Sequence, residues 1–104
     1  MAQFDVHRNA DPRTRIRFPF LVDIQSDLLY DLAIRVVIPL TPVEILGAPI
    51  GRLNPRLEVM GKSCALATTH IAGVSKSVLG PVVANLAESR DQIVAAIDVV
   101  ISGI

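Results

Sequence analysis

The chain of 104 residues is long enough for one domain with one core, and we expect a single domain over residues 1–104. Ten basic and ten acidic side chains give no net charge, which argues against a strongly basic nucleic-acid-binding protein. Hydrophobic residues make up 51% of the chain, so we expect part of the apolar surface to lie in an interface.

The residues that report on the cellular compartment indicate the cytoplasm. Cys64 is the single cysteine and has no partner for an internal disulfide, as is usual in a reducing compartment. The segment Met1–Arg8 carries charges and lacks the apolar stretch of a signal peptide. No apolar run approaches the roughly eighteen residues that a membrane span needs. We therefore expect a cytoplasmic protein that does not bind a membrane.

Alternation of apolar and polar residues predicts strands in the first part of the chain. A short strand is predicted at Gln3–Arg8, with Phe4 and Val6 directed inward, and a loop at Asn9–Thr14. The longest alternating run, Arg15–Gln25, predicts the clearest strand. Its apolar side chains are expected on one face: Ile16, Phe18, Phe20, Val22 and Ile24.

The middle of the chain contains a connection, a strand and a long loop. Ser26–Leu32 is predicted to be a connection that exposes the pair Leu28–Leu29. The β-branched run Ile34–Leu40 predicts a strand that is buried on both faces. Five prolines and glycines exclude regular helix from most of Thr41–Pro55. A loop of this length in a compact domain is often a binding loop.

The next elements are a hairpin and a further strand. Leu57–Val59 and Cys64–Ile71 are predicted to pair as a hairpin, and Val74–Leu79 predicts one more short strand. The Gly80–Pro81 pair is expected to end that strand, because proline suits the first position of a helix. A helical turn or two is therefore predicted over Val82–Ala87.

A single long helix is predicted near the end of the chain. Ser89 followed by Gln92 is a capping-box pattern, which indicates a helix from about Arg90 to Ile101. Gly103 suits the left-handed position just past a helix end.

This helix has little polar surface. From Ile93 to Ile101 only Asp98 interrupts a run of apolar residues. A helix that is apolar on most sides must be covered on most sides, and a small barrel covers one face. The other face is expected to lie against a second subunit or a partner.

Residue types that carry catalysis or bind metals do not form a known pattern. His7 and His70 have no cysteine or carboxylate at metal-ligand spacing and are interpreted as ordinary strand histidines. Cys64 alternates with Leu66 in a strand and is interpreted as a small core residue. There is no glycine-rich phosphate loop and no nucleophile elbow. We therefore predict no catalytic residue, no metal and no cofactor.

Asp23 and Asp27 stand four residues apart at the end of a predicted strand. A carboxylate pair serves catalysis where burial or a cleft shifts its pKa values. Aspartates at a strand end more often hydrogen-bond the local turn, and we favour that interpretation.

Four segments spread over nearly the whole chain carry a family pattern. They are Val22–Leu29, Val37–Leu40, the stretch from Thr68 to Gly80, and the helix Ile93–Ile101 followed by Gly103-Ile104. In this order they resemble the CcdB family of plasmid and chromosomal toxins. The resemblance implies a mostly β protein with one C-terminal α-helix, an SH3-like barrel of the plasmid maintenance toxin type. It also implies a homodimer, no cofactor and no catalytic residues.

The resemblance further implies a toxin that inhibits a topoisomerase without catalysing a reaction. The dimer of such a toxin inserts between the two halves of the DNA gyrase A subunits and traps the cleaved-DNA complex. A cognate antitoxin neutralises it and joins it in repressing their operon, and the toxin alone binds no nucleic acid. The implied gyrase-binding residues are Leu28, Leu29, Asp98, Ile101, Ser102, Gly103 and Ile104.

The leucine pair is expected beside the helix end, although the same residues also suit a dimer interface alone.

Two departures from the family pattern stand out. Ser102 occupies the place where the family often has tryptophan, and Val74-Ser75-Lys76 replaces a common Val-Pro-Val. The lysine blunts a strand edge against pairing.

The antitoxin of the family contributes a segment that is disordered alone and orders on the toxin, which requires an apolar groove beside adaptable loops. The loops Arg8–Arg15 and Thr41–Pro55 are the candidates. The predicted antitoxin-binding residues are Arg8, Arg13, Arg15, Val43, Ile45, Leu46 and Ile50.

Two alternatives stay open. A ribonuclease toxin on the same barrel needs a basic groove with a positioned acid–base set, and the neutral charge and few aromatic residues argue against it. An inactive homologue that only binds an antitoxin is the other alternative.

Overall fold

The computed structural model describes residues 2–103. Between residues 2 and 103, seven strands and two α-helices follow one another. They are β1 (Asp5–Asn9), β2 (Phe20–Asp23), β3 (Ile34–Pro42), α1 (Val43–Leu46), β4 (Arg56–Val59), β5 (Lys62–Leu66), β6 (Ala72–Ser75), β7 (Leu79–Asn85) and α2 (Arg90–Ser102).

All strand pairs are antiparallel and belong to one sheet. The order is β4-β5-β3-β2-β1-β7, and β6 pairs with the first half of β3. The sheet forms a half-barrel whose core is closed by α2. The prediction of a mostly β protein with one long C-terminal helix is confirmed.

The core lies between the concave side of the sheet and α2. Phe4 and Val6 are buried in it, as predicted, and Cys64 packs there as a small core residue. The other members of the core are Phe20, Val22, Ile38, Leu40, Leu57, Val59, Leu66, Leu86, Ile93 and Ala96.

The predicted strand Arg15–Gln25 is wrong in its first half. Only Phe20–Asp23 is a strand, and Ile16 is 84% exposed instead of facing the core. Residues 12–17 form turns in which the Phe18 N–H donates to the Thr14 carbonyl at 2.8 Å. An alternating pattern stabilises a strand only where a partner strand is available. In this segment the local hydrogen bonds outweigh the weak tendency to form a strand.

The predicted helical turn over Val82–Ala87 is also wrong. Leu79–Asn85 is a strand that pairs with β1, with shifts of register along the pair. Proline is tolerated there because β7 lies at the end of the sheet order, where a missing N–H costs no ladder hydrogen bond. A Cβ on Gly80 would lie 2.8 Å from the Arg8 carbonyl oxygen, so this close approach requires glycine.

Two elements that precede this segment, β6 and the hairpin of β4 and β5, differ from prediction in extent. The strand expected at Val74–Leu79 is Ala72–Ser75, because the Ser75 hydroxyl accepts from the Ser77 N–H at 3.3 Å and begins a turn. The hairpin is confirmed, but its second strand ends at Leu66. Met60 and Gly61 form its two-residue turn, both with positive φ, as such hairpins require.

The strand predicted at Ile34–Leu40 is confirmed and runs on to Pro42. The helix is confirmed at Arg90–Ser102, and Gly103 adopts the predicted left-handed conformation with φ 72°. The Ser89 side chain makes no capping hydrogen bond, so the predicted capping box is not formed. Within residues 2–103, no helix combines the length and the apolar character required to cross a membrane.

Candidate functional site

The first candidate surface is the turn that carries the leucine pair. Asp27–Leu29 form one 3₁₀ turn after β2, and the Leu28 side chain is 88% exposed. The turn begins at Ser26, whose hydroxyl accepts from the Leu28 N–H at 3.2 Å and whose carbonyl accepts from the Leu29 N–H at 2.9 Å. Leu29 is also exposed, so the predicted exposure of the pair is confirmed.

The apolar surface continues past the pair into β3. Tyr30, Leu32 and Ile34 are exposed as well. With the pair they form a surface that we call the loop patch, made of Leu28, Leu29, Tyr30, Leu32 and Ile34. Several exposed apolar side chains within one short segment are typical of an interaction site. Tyr30, Leu32 and Ile34 were not predicted from the sequence. A connection with so many apolar residues nevertheless indicates an interface.

A buried polar network lies beside the loop patch. The side chains of Asp23 and Arg35 are 0% and 1% exposed. The Arg35 Nε donates to Asp23 Oδ2 at 2.9 Å, and Nη2 lies 2.7 Å from the same oxygen. Asp23 Oδ1 accepts from the Gln25 N–H at 3.0 Å. The interpretation that Asp23 hydrogen-bonds the local turn is confirmed.

Asp27, the second aspartate of the predicted carboxylate pair, makes a different contact. Asp27 Oδ1 accepts from the Gln3 N–H at 2.8 Å, which ties the turn to the residues before β1. The Gln3 side-chain Nε2 also donates to the Ile24 carbonyl at 3.1 Å. The two carboxylates therefore serve separate structural contacts.

The second candidate surface is the C-terminal end of α2. Asp98, Ile101, Ser102 and Gly103 are all exposed, and the Ile101 side chain is 78% exposed. The Ser102 hydroxyl donates to the Asp98 carbonyl at 2.7 Å, and the Gly103 N–H donates to the Val99 carbonyl at 2.9 Å. These bonds satisfy carbonyl groups that a helix end otherwise leaves free. Ile104 lies outside the described residues.

The helix-end candidates lie together at the end of α2, whereas the leucine pair lies in the turn after β2. Within one chain, the backbone of α2 lies close to Gly51–Leu53, Thr68–His70 and Ala87–Ser89. The turn Asp27–Leu29 is not among these segments. That the leucine pair lies beside the helix end stays a prediction for the assembled protein.

The predicted antitoxin-binding residues are distributed over two regions. Arg8 lines a cleft of about 410 Å³ together with Pro42 and Glu44 at the start of the long loop. Lys62 also lines this cleft. The Arg8 guanidinium carbon lies 5.9 Å from the centre of the Phe20 ring. Arg8 is thus placed beside the long loop.

The long loop is partly ordered by α1, a single helical turn. Val43 and Leu46 are half-buried, whereas Ile45 and Ile50 are exposed. The exposed isoleucines are therefore the members of the predicted set that this loop offers to a partner.

Arg13 lies at a groove that sequence reasoning missed. The groove has a volume of about 440 Å³, and Leu21, Val37 and Pro39 contribute to it from the convex side of the sheet. Arg13 forms an ion pair with Asp11 at 3.1 Å, and the hydrogen bonds from Arg13 lower the pKa of the Asp11 carboxyl. Arg15 is exposed and does not line this groove. Alternation predicts the face of each strand but not how loops pack around that face, so the sequence did not indicate the groove.

The residues with catalytic potential occupy structural positions. Burial raises the pKa of the Cys64 thiol, which disfavours the reactive thiolate. The buried His7 donates from Nδ1 to the Gly80 carbonyl at 3.0 Å. His70 lies in a 3₁₀ turn, not in a strand, with its ring 5.1 Å from that of Phe18. Between residues 2 and 103, no cluster of three or more His, Cys, Asp or Glu side chains has the arrangement of a metal site.

Comparison with known families agrees with this architecture. The sequence model of the family described as "CcdB protein" matches residues 3–103. The match includes every strand, the loop patch and α2. The chain therefore belongs to the CcdB family of toxins from toxin–antitoxin modules.

Proposed function

We propose that this protein poisons bacterial DNA gyrase. The observation that carries the proposal is the end of α2, where Ile101 is almost fully exposed on a helix whose other face is packed in the core. An isoleucine in water beside a capped helix end is typical of a surface that another protein covers. Membership of the CcdB family supports gyrase as that protein.

The proposed contact residues combine the helix end with the leucine pair. They are Leu28, Leu29, Asp98, Ile101, Ser102, Gly103 and Ile104. The apolar members supply buried area, and Asp98 supplies a charge at the rim of the contact. The toxin acts by binding between the gyrase A subunits and trapping the cleaved-DNA complex, so it needs no catalytic residue.

The active form is proposed to be a homodimer. Apart from the leucine pair, one protomer leaves apolar surface in water at Tyr30, Leu32, Ile34 and Ile71. Isologous association buries the same strip from both copies and presents every contact residue twice. A monomeric mass by light scattering at micromolar concentration would contradict this part of the proposal.

We propose that a cognate antitoxin neutralises the toxin by folding onto it in the cytoplasm. The complex of the two proteins is proposed to repress their operon. The cleft that Arg8 shares with the long loop supports this role, because it combines charged side chains with Pro19, Phe20 and Pro42, and because the same loop exposes Ile45 and Ile50. Segments that order on binding use such apolar surfaces flanked by charges.

Growth arrest in cells with different gyrase alleles tests the proposed function. The protein is expressed in two strains that differ only in carrying sensitive or toxin-resistant gyrase A. We expect arrest in the sensitive strain and growth in the resistant one. Equal arrest in both strains, accompanied by RNA cleavage by the purified protein, would indicate the ribonuclease alternative. Growth of both would indicate an inactive homologue.

A further inference from the structure

We infer that Gln25 is a positioning residue that holds the Leu28–Leu29 turn in the conformation that meets gyrase A. The inference rests on the proposed function and assigns a role to a residue outside the contact surface. Gln25 is buried and lies between the end of β2 and the exposed turn.

The Gln25 side-chain amide joins two parts of the backbone. Its Oε1 accepts from the Val36 N–H at 3.0 Å, and its Nε2 donates to the Leu29 carbonyl at 3.0 Å. One side chain thus fixes the second leucine of the pair to the start of β3.

The chemistry of this link requires an amide. One end of the side chain must accept a hydrogen bond and the other end must donate one. An ionised glutamate accepts only, and methionine of similar length offers neither function at useful strength. Asparagine is one methylene shorter, so it cannot reach both backbone groups from the same position.

The ion pair beside the loop patch fixes Gln25 in turn. Arg35 holds Asp23 Oδ2, which leaves Oδ1 to accept from the Gln25 N–H. The chain of contacts therefore runs from a buried guanidinium through a carboxylate and an amide to the Leu29 carbonyl. Each link is buried or partly buried, where water competes little and hydrogen bonds are strong.

The remaining contacts of the turn are exposed. The Ser26 hydroxyl and Asp27 carboxylate bonds lie at the surface, where water replaces a lost bond at low cost. Loss of the Gln25 amide instead leaves the Val36 N–H without its partner and leaves the Leu29 carbonyl with only the longer bond from the Leu32 N–H at 3.3 Å. We therefore expect the turn to sample other conformations when Gln25 is changed, while the core is unaffected.

The test compares Gln25→Met with wild type in calorimetric binding to the gyrase A dimerisation fragment. Because the loss of both hydrogen bonds lets the turn leave its binding conformation, we expect binding to weaken by about tenfold or more. Gln92→Met is the matched control, because Gln92 is exposed on α2. Binding to the antitoxin and the dimer mass should not change, whereas general destabilisation would alter both.

A second variant separates this inference from the proposed function. Leu28→Asp alters the proposed contact itself and should abolish gyrase binding. If Leu28→Asp abolishes binding and Gln25→Met binds as wild type does, the positioning role is wrong and the proposed contact stands. If Leu28→Asp also binds normally, the proposed contact is wrong and the inference falls with it.

A measurement on the wild-type protein covers the case in which Gln25→Met does not fold. The Val36 N–H donates to a side chain, so its hydrogen exchange reports directly on the Gln25 link. We expect it to exchange as slowly as the amides inside β2 and β3. Exchange as fast as that of the exposed Leu28 amide would overturn the inference.

Discussion

The Arg35 guanidinium lies 2.7 Å from the Asp23 carboxylate, and both side chains are shielded from water. Both charges stand on neighbouring strands of the half-barrel, next to the loop patch. A buried pair costs desolvation, so its net contribution to stability is small, but the loss of one partner leaves the other charge uncompensated.

The first prediction concerns this ion pair. Arg35→Met should lower the free energy of unfolding by about 3–5 kcal/mol, because it leaves the Asp23 carboxylate buried and unpaired. The double variant Asp23→Leu/Arg35→Met should lose less than the single variant. Urea unfolding at fixed protein concentration measures both, with Arg15→Met as a control at an exposed arginine. A single variant as stable as the control would contradict this account of the pair.

The second prediction concerns Cys64. Burial raises the pKa of its thiol, so little thiolate is present at neutral pH and reagents have little access. We expect iodoacetamide to react slowly with the folded protein and rapidly in denaturant. A thiol moved to the exposed neighbour, in Ser63→Cys/Cys64→Ala, should react rapidly in the folded state. Equally fast labelling of both folded proteins would show that Cys64 is accessible.

The third prediction concerns the end of α2. Ser102 lies in the proposed gyrase contact, where the resemblance to the CcdB family implies a tryptophan that stacks on an arginine of gyrase A. Ser102→Trp should therefore tighten binding to the gyrase A dimerisation fragment, since one cation–π contact contributes about 0.5–2 kcal/mol. A truncated chain lacking residues 102–104 should not bind.

The truncation leaves Ile93 and Ala96 in place, so the core and the dimer should persist. Its circular dichroism spectrum and its mass are the controls for folding. Equal affinity of the truncated and full-length proteins for the gyrase A fragment would show that the helix end is not part of the contact surface.

The fourth prediction concerns neutralisation. Ile45→Asp and Ile50→Asp should weaken binding of the cognate antitoxin, because they place a charge where an apolar segment docks. Both side chains are exposed, so the fold should tolerate the changes. Val82→Asp, at an exposed position on β7, is the matched control. Unchanged antitoxin affinity in the first two variants would place the docking surface elsewhere, with the groove beside Arg13 as the next candidate.

Local patterns predicted the elements whose own composition and end signals are strong. The β-branched run of β3 and the apolar helix α2, with Gly103 after it, were predicted close to their observed ends. Each owes its position to its own periodicity and end signals, which a sequence displays directly.

The errors fall where other contacts, local or tertiary, override the alternation of apolar and polar residues. Ile16 alternates as a strand residue does, but local turns outweigh that pattern. Pro81 resembles a helix start, yet β1 recruits the segment as an edge strand. Arg35 interrupts an apolar run as a surface residue would, and only the position of Asp23 on the adjacent strand explains its burial.

The same distinction applies to the candidate site. The exposure of Leu28 and Leu29 could be predicted from an apolar pair in a connection. The role of Gln25 could not, because its partners Val36 and Leu29 become neighbours only when β3 folds back along β2.

The most direct test of the central claim is a DNA cleavage assay with purified gyrase. Supercoiled plasmid, gyrase, ATP and the protein are incubated together, and the reaction is stopped with detergent and protease to release trapped breaks. We predict that linear DNA accumulates with the wild-type protein and that it disappears with the chain lacking residues 102–104 or when gyrase A from a resistant strain is used. Absence of linear DNA with sensitive gyrase at saturating wild-type protein would contradict the account.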